Sequence, residues 1–227
     1  MVLTVGVATW VLVATRADPE PSYEGKPLHY WVNCFSVPKN PKSTGREAKA
    51  TEAIRHMGTN AFPTLLQWLC ADSTEVRNYL WRRLPLSLRN IKPLGDLVFY
   101  SPKMRRAEAA SRALVSLRAD ASPALPSVAE LFITTTNFVV RTRCWVILRE
   151  VGAPSVPVLT AAAGDKRCYT NNSLFEILMV LEQIRPPATS AVPALTILLQ
   201  NAEPAKRTWF SNTISHITGQ PRTAARP

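Results

Sequence analysis

The chain has 227 residues, of which 46% are apolar or aromatic and 19% charged, with 8 Gly, 19 Pro and 4 Cys. That is enough apolar material for one core, or two small ones, and too little charge for a disordered chain. So few glycines argue against Gly-rich phosphate loops or a hairpin-rich β fold, and so many prolines argue against one long helical bundle. The 27 Lys and Arg against 16 Asp and Glu give a formal net charge of +11, which favours an anionic contact without naming it.

From the N-terminus, Val2 to Ala14 is an uncharged apolar run of thirteen residues. It is too short to cross a bilayer core of about 30 Å as a helix, but it suits the hydrophobic region of an export signal. Residues 1–17 are therefore expected to be a signal peptide or membrane anchor, and the protein to be periplasmic or membrane-anchored. Against export, no Lys or Arg precedes the run; a truncated start would leave a basic leader and a longer apolar anchor upstream. The alternative is a hydrophobic core helix, which would imply a cytoplasmic protein. Pro19, Pro21, Pro27, Pro38 and Pro41 then make 18–45 read as a Pro-rich tether that contains the segment GKPLHYWV.

Residues 46–219 carry an internal repeat. AFPTL (61–65), ALPSV (124–128), SVPVL (155–159) and AVPAL (191–195) share a small residue, an apolar residue, Pro, any residue, then Leu or Val, with prolines 63, 31 and 36 residues apart. A period in the thirties is that of a helical hairpin, and the first gap leaves room for one divergent unit. Each Pro suits the first turn of a helix, where its missing N–H costs nothing. Leu65, Leu66 and Leu69, and likewise Leu195, Leu198 and Leu199, follow at helical spacing. A second helix ends before each Pro motif, with Gly58 and Gly152 placed to stop two of them. The second helices show stripes of their own: Ala107, Ala110, Ala113, Leu114 and Leu117; Val140, Cys144, Ile147, Leu148 and Val151; Leu174, Ile177, Leu178, Leu181 and Ile184. The fold expected is all-α, a right-handed α/α superhelix of about four to five helical hairpins. Residues 85–102, with three prolines, read as a divergent unit or insert, and 220–227 as a tail.

These motifs resemble HEAT repeats, most closely the HEAT-like units of phycobilisome lyases, in which A-x-P-x-L lies on the first helix, an Asp in the turn, and Val-Arg opens the second helix. Asp72 with Val76 and Arg77 matches, as does Val140 with Arg141. In the later units Asp165 is present, but Leu174 and Phe175 stand in place of Val-Arg. The segment 25–32 is similar to one that precedes the repeats in exported or anchored bacterial HEAT-repeat proteins of unknown function. The resemblance implies a structural ladder in which Arg141 meets the turn Asp72 of its neighbour, with Arg77 in the equivalent place.

Ten basic residues against Asp72, Glu75, Asp96 and Glu108 concentrate net positive charge in 72–118. Arg82, Arg83, Arg105, Arg106 and Arg112, with Arg143 and Arg149 further along, are on or beside second helices. They are the candidate partner-binding residues, expected to face a concave groove. No catalytic residue, metal ligand or cofactor is expected. His29, His56 and His216 have no ligand-type residue at helical spacing, and the phosphate-loop, dinucleotide and nucleophile-elbow motifs are absent, as are the repeated His-Glu pairs of HEAT-repeat iron hydroxylases. Cys34, Cys70, Cys144 and Cys168 are too dispersed for a zinc or redox motif and read as free, mostly buried thiols. Most of the six tryptophans flank apolar stripes and read as packing residues. The expected function is a non-catalytic scaffold or protein-binding module. The alternatives are a basic nucleic-acid-binding protein of the DNA-glycosylase type, a lyase or assembly factor of the HEAT-like class, contact with an anionic surface, and membrane contact through the N-terminal segment.

Overall fold

The computed structural model describes residues 20–36, 41–71, 83, 85, 102–169, 173–184 and 187–219. Val2 to Ala14, almost all of the 85–102 insert, and the 220–227 tail lie outside them. Among the described residues the protein is all-α except for one small hairpin, β1 (Ser22–Tyr23) paired antiparallel with β2 (Lys26–Pro27). Glu24 and Gly25 turn the hairpin at positive φ (48° and 70°), the backbone region a two-residue hairpin turn requires.

The helices are α1 (Leu28–Asn33), α2 (Pro41–Met57), α3 (Phe62–Cys70), α4 (Pro102–Leu117), α5 (Leu125–Thr134), α6 (Phe138–Val151), α7 (Val156–Ala163), α8 (Ser173–Ile184), α9 (Val192–Asn201) and α10 (Pro204–Thr218). Every Pro motif opens a helix as the spacing predicts, with Pro63, Pro126, Pro157 and Pro193 at the second position of α3, α5, α7 and α9. The connection before each is a 3₁₀ segment rather than a bare turn. Three of these connections begin at positive φ, at Gly58 (59°), Arg118 (50°) and Gly152 (79°). Glycine is strain-free there, and Arg118 is not.

The helices form two rows. α5, α7 and α9 neighbour one another in order; so do α4, α6, α8 and α10, and α3 packs on α4, α5 on α6, α7 on α8 and α9 on α10. The stripes read from the sequence are the faces that meet: all of Ala107 to Leu117, Val140 to Val151 and Leu174 to Ile184 named above are buried, and all but Ala107 belong to one continuous core. Alanines dominate the buried face of α4, which lets α3 and α6 approach it closely. Trp31 is buried, and Trp68, Trp145 and Trp209 are partly buried against the core.

The tether expected over 18–45 is corrected for its described part. Leu28, Trp31, Val32 and Phe35 are buried, and α1 packs against α2 and α4. Pro21 and Pro27 frame the hairpin instead of extending the chain: the Pro21 carbonyl accepts from Leu28 N–H at 2.8 Å. Glu20 accepts from His29 N–H at 2.5 Å, supplying the acceptor that the start of α1 needs. Tyr23 stacks on His56 of α2, with centroids 4.9 Å apart and planes at 7°. An apolar i, i+3, i+4, i+7 set within a Pro-rich stretch is thus a capping helix.

Candidate functional site

Met104, Arg105, Glu108 and Arg112 lie on the face of α4 turned away from its buried alanines, and Phe138, Val139, Thr142 and Arg143 occupy the first turns of α6. Phe35 and Ser36, at the end of the capping segment, close one side. Together these residues line a cavity of about 570 Å³. Two further cavities adjoin it along α4: one of about 240 Å³ shares Ser36 and Arg105, and one of about 540 Å³ shares Phe35, Glu108 and Arg112. The result is a trough running the length of one helix. Asn137 fixes its far wall by capping α6, accepting from Val139 and Val140 N–H at 2.9 and 3.3 Å. This places Phe138 at the lip, 78% exposed.

The trough is basic. Its lining carries Arg105, Arg106, Arg112, Arg118 and Arg143 against Glu47 and Glu108, and Glu108 lies 3.5 Å from Arg112 Nε and 3.9 Å from Arg143 Nε. Arg112 Nη1 donates to the Phe35 carbonyl at 3.3 Å, tying α4 to the capping segment. Arg105 is exposed and has no ion-pair partner among the described residues. Arg106 lies 5.4 Å from the Trp68 ring centroid, a cation–π distance.

Of the candidate partner-binding residues, the structure brings Arg105, Arg106, Arg112 and Arg143 to this trough. Arg82 lies outside the described residues, and Arg83 is exposed. Arg149 does not line the trough: it pairs with Glu150 at 2.6 Å and covers the Trp145 ring at 4.4 Å. Arg143 departs from the expected exposed charge, since its side chain is 5% exposed. Nη1 donates to the Leu69 carbonyl of α3 at 3.3 Å, while Nε has no hydrogen-bond partner.

Asp72 and Arg77 lie outside the described residues. Arg141 braces its own turn, donating through Nη2 to the Thr135 carbonyl at 2.8 Å. Among the described residues, two sets of ion pairs join successive hairpins. Arg167 joins Asp165, at 2.7 Å, to Glu130, also at 2.7 Å, one hairpin away. Its hydrogen bonds hold both carboxyl groups below the usual carboxylate range. Arg55 meets Asp120 at 2.6 Å across 65 residues.

Sequence reasoning missed a second polar cluster. Glu182 on α8 accepts from Thr213 Oγ1 at 2.7 Å, and His216 Nδ1 is hydrogen bonded to the same carboxylate at 2.9 Å. They border a cavity of about 270 Å³ walled by Phe175, Met179 and Trp209. The partners are 31 and 34 residues apart, beyond any single-helix spacing but equal to the repeat period. That period was the signal available.

The cysteines are unpaired, with Cys144 and Cys168 buried. Burial pushes the Cys144 thiol up to about 12 and that of Cys168 to about 11, so neither is a thiolate at neutral pH. Among the described residues no group of three or more His, Cys, Asp and Glu could hold a metal ion, and no single helix is long and apolar enough to cross a membrane. Comparison of the chain with protein-family models, curated proteins and solved structures returns no match.

Proposed function

We propose that the protein is a HEAT-like, right-handed α/α superhelix that works as a non-catalytic binding module, seating a protein partner in the trough along α4 and α6. The observation that carries the reading is the trough itself, in which apolar Phe35, Met104, Phe138 and Val139 share one lining with Arg105 and Arg112. Protein interfaces combine apolar or aromatic anchors with a charged rim, and arginine is favoured in them. The ordered rows of helices support the superhelix, because stacked hairpins of near-constant period bury a continuous core and leave an extended face open. The apolar run 2–14 supports export or tethering to a membrane.

A photo-crosslinking amino acid at Thr142, in the full chain and its native host, tests the proposal. The expected result is one protein adduct, which disappears when Arg105 and Arg106 are both changed to Glu with helicity retained. Persistence of the adduct in R105E/R106E, or the absence of any protein adduct, would overturn it. Binding to duplex or single-stranded DNA that weakens steeply with salt would instead mark a nucleic-acid protein.

A further inference from the structure

The central cavity of the trough differs from its two neighbours in how it distributes polarity. Phe35, Met104, Phe138 and Val139 supply an apolar wall, and the cationic groups are gathered at definite places around it. Arg143, which also lines the cavity, is nine-tenths buried, and its charge is incompletely answered. The nearest carboxylate oxygen is 3.9 Å away and half exposed, one neutral carbonyl lies at 3.3 Å, and Nε has no hydrogen bond. A guanidinium out of water with so little compensation projects a positive field into the adjoining low-dielectric space. Arg105 lines the cavity, is exposed, and has no ion-pair partner among the described residues. Glu108 is the cavity's acid and is shared by Arg112 and Arg143, so three cations face one anion.

We propose that this cavity binds a small amphiphile, an aliphatic or aromatic body ending in a single anionic head, with the body against Phe35, Phe138 and Val139 and the head at Arg105. Charge complementarity selects the head. A neutral ligand would leave the Arg143 field unanswered, and a cation would oppose it. The lining selects the body, because a fully polar anion would strip water from Phe138 and Met104 and leave them nothing apolar to meet. At about 570 Å³ the cavity falls in the range of small-molecule sites. A carboxylate and a phosphate monoester share the required head chemistry. The amphiphile would take the same lining as the partner proposed above and compete with it, and its binding is measured on the protein alone, so failure of one reading is distinguishable from failure of the other.

Fluorescence titration of the full chain with cis-parinaric acid, whose emission rises in apolar surroundings, tests the site against methyl cis-parinarate as the uncharged control. Saturable binding of the acid at one site per chain is expected, with the ester at least about tenfold weaker, as loss of a charge-assisted contact implies. Arg105→Gln should bring the acid down to the level of the ester and leave the ester unchanged. Thr142→Trp, at an exposed position lining the cavity, should fill it and abolish both. Displacement of the bound probe by dodecanoate and by dodecyl phosphate then ranks the two head groups. Equal affinity for acid and ester, absence of saturable binding, or saturable binding undiminished in T142W with helicity intact would each overturn the proposal.

Discussion

Replacing Arg143 with Met tests whether its buried charge is kept for the fold or at the expense of it. The wild-type side chain is 5% exposed, whereas its ion-pair partner Glu108 is 52% exposed. Desolvating such a group costs several kcal/mol, and a carboxylate in contact with water at 3.9 Å returns little of that. The hydrogen bond from Nη1 to the Leu69 carbonyl is long, at 3.3 Å, and contributes about 1 kcal/mol. Arg143→Met removes the desolvation cost, loses that bond and keeps most of the stem packing between α3, α4 and α6. Glu108 is solvated and is not stranded by the change. The expected net effect is a gain of about 1 kcal/mol, visible as a Tm rise of about 2 to 4 °C and as a higher urea midpoint at unchanged m-value. Arg143→Ala, which also opens a void, should instead cost about 2 kcal/mol or more. Loss of 2 kcal/mol or more in R143M would refute the reasoning and make Arg143 a net structural tie between α3 and α6.

Cys144, fully buried on the α6 stripe, should behave as a packing residue: Cys144→Ala is expected to lower the unfolding free energy by about 1 to 2 kcal/mol without altering capture of a partner. Its thiol is raised from 9.0 unfolded to about 12 in the fold, so the stability it contributes is complete below pH 9 and declines as pH rises towards 12. C144A should therefore flatten the alkaline limb of the stability curve, and an identical limb in both proteins would count against burial of the neutral thiol. Arg118, at φ 50° where the parallel connections place Gly58 and Gly152, carries backbone strain, so Arg118→Gly should stabilise by about 1 kcal/mol; unchanged or lower stability in chemical denaturation would show that its side chain compensates.

Helix type, helix order and the buried stripes were legible in the sequence because they follow from local chemistry. A proline is tolerated in a first helical turn, and apolar residues recurring every third or fourth position must share a face, whatever surrounds them. The capping helix α1 was misread for the opposite reason. Prolines on both sides of Leu28, Trp31, Val32 and Phe35 suggest extension, and only the groove left open by α2 and α4 turns that short stripe into core. Arg143 shows the limit most clearly. By sequence it is one more arginine of a basic cluster, equivalent to Arg105 or Arg149. In space it lies under α3 while Arg105 faces solvent and Arg149 folds onto Trp145, a distinction set by the packing of α3, α4 and α6. The pairs Glu130 with Arg167 and Glu182 with His216 form because α5 packs beside α7 and the 3₁₀ segment after it, and α8 beside α10, which turns a separation of 37 or 34 residues into contact. Periodicity along the chain determines which face of each helix is buried, whereas the cavity between α4 and α6, and which charges line it, exists only once neighbouring helices have set their separation.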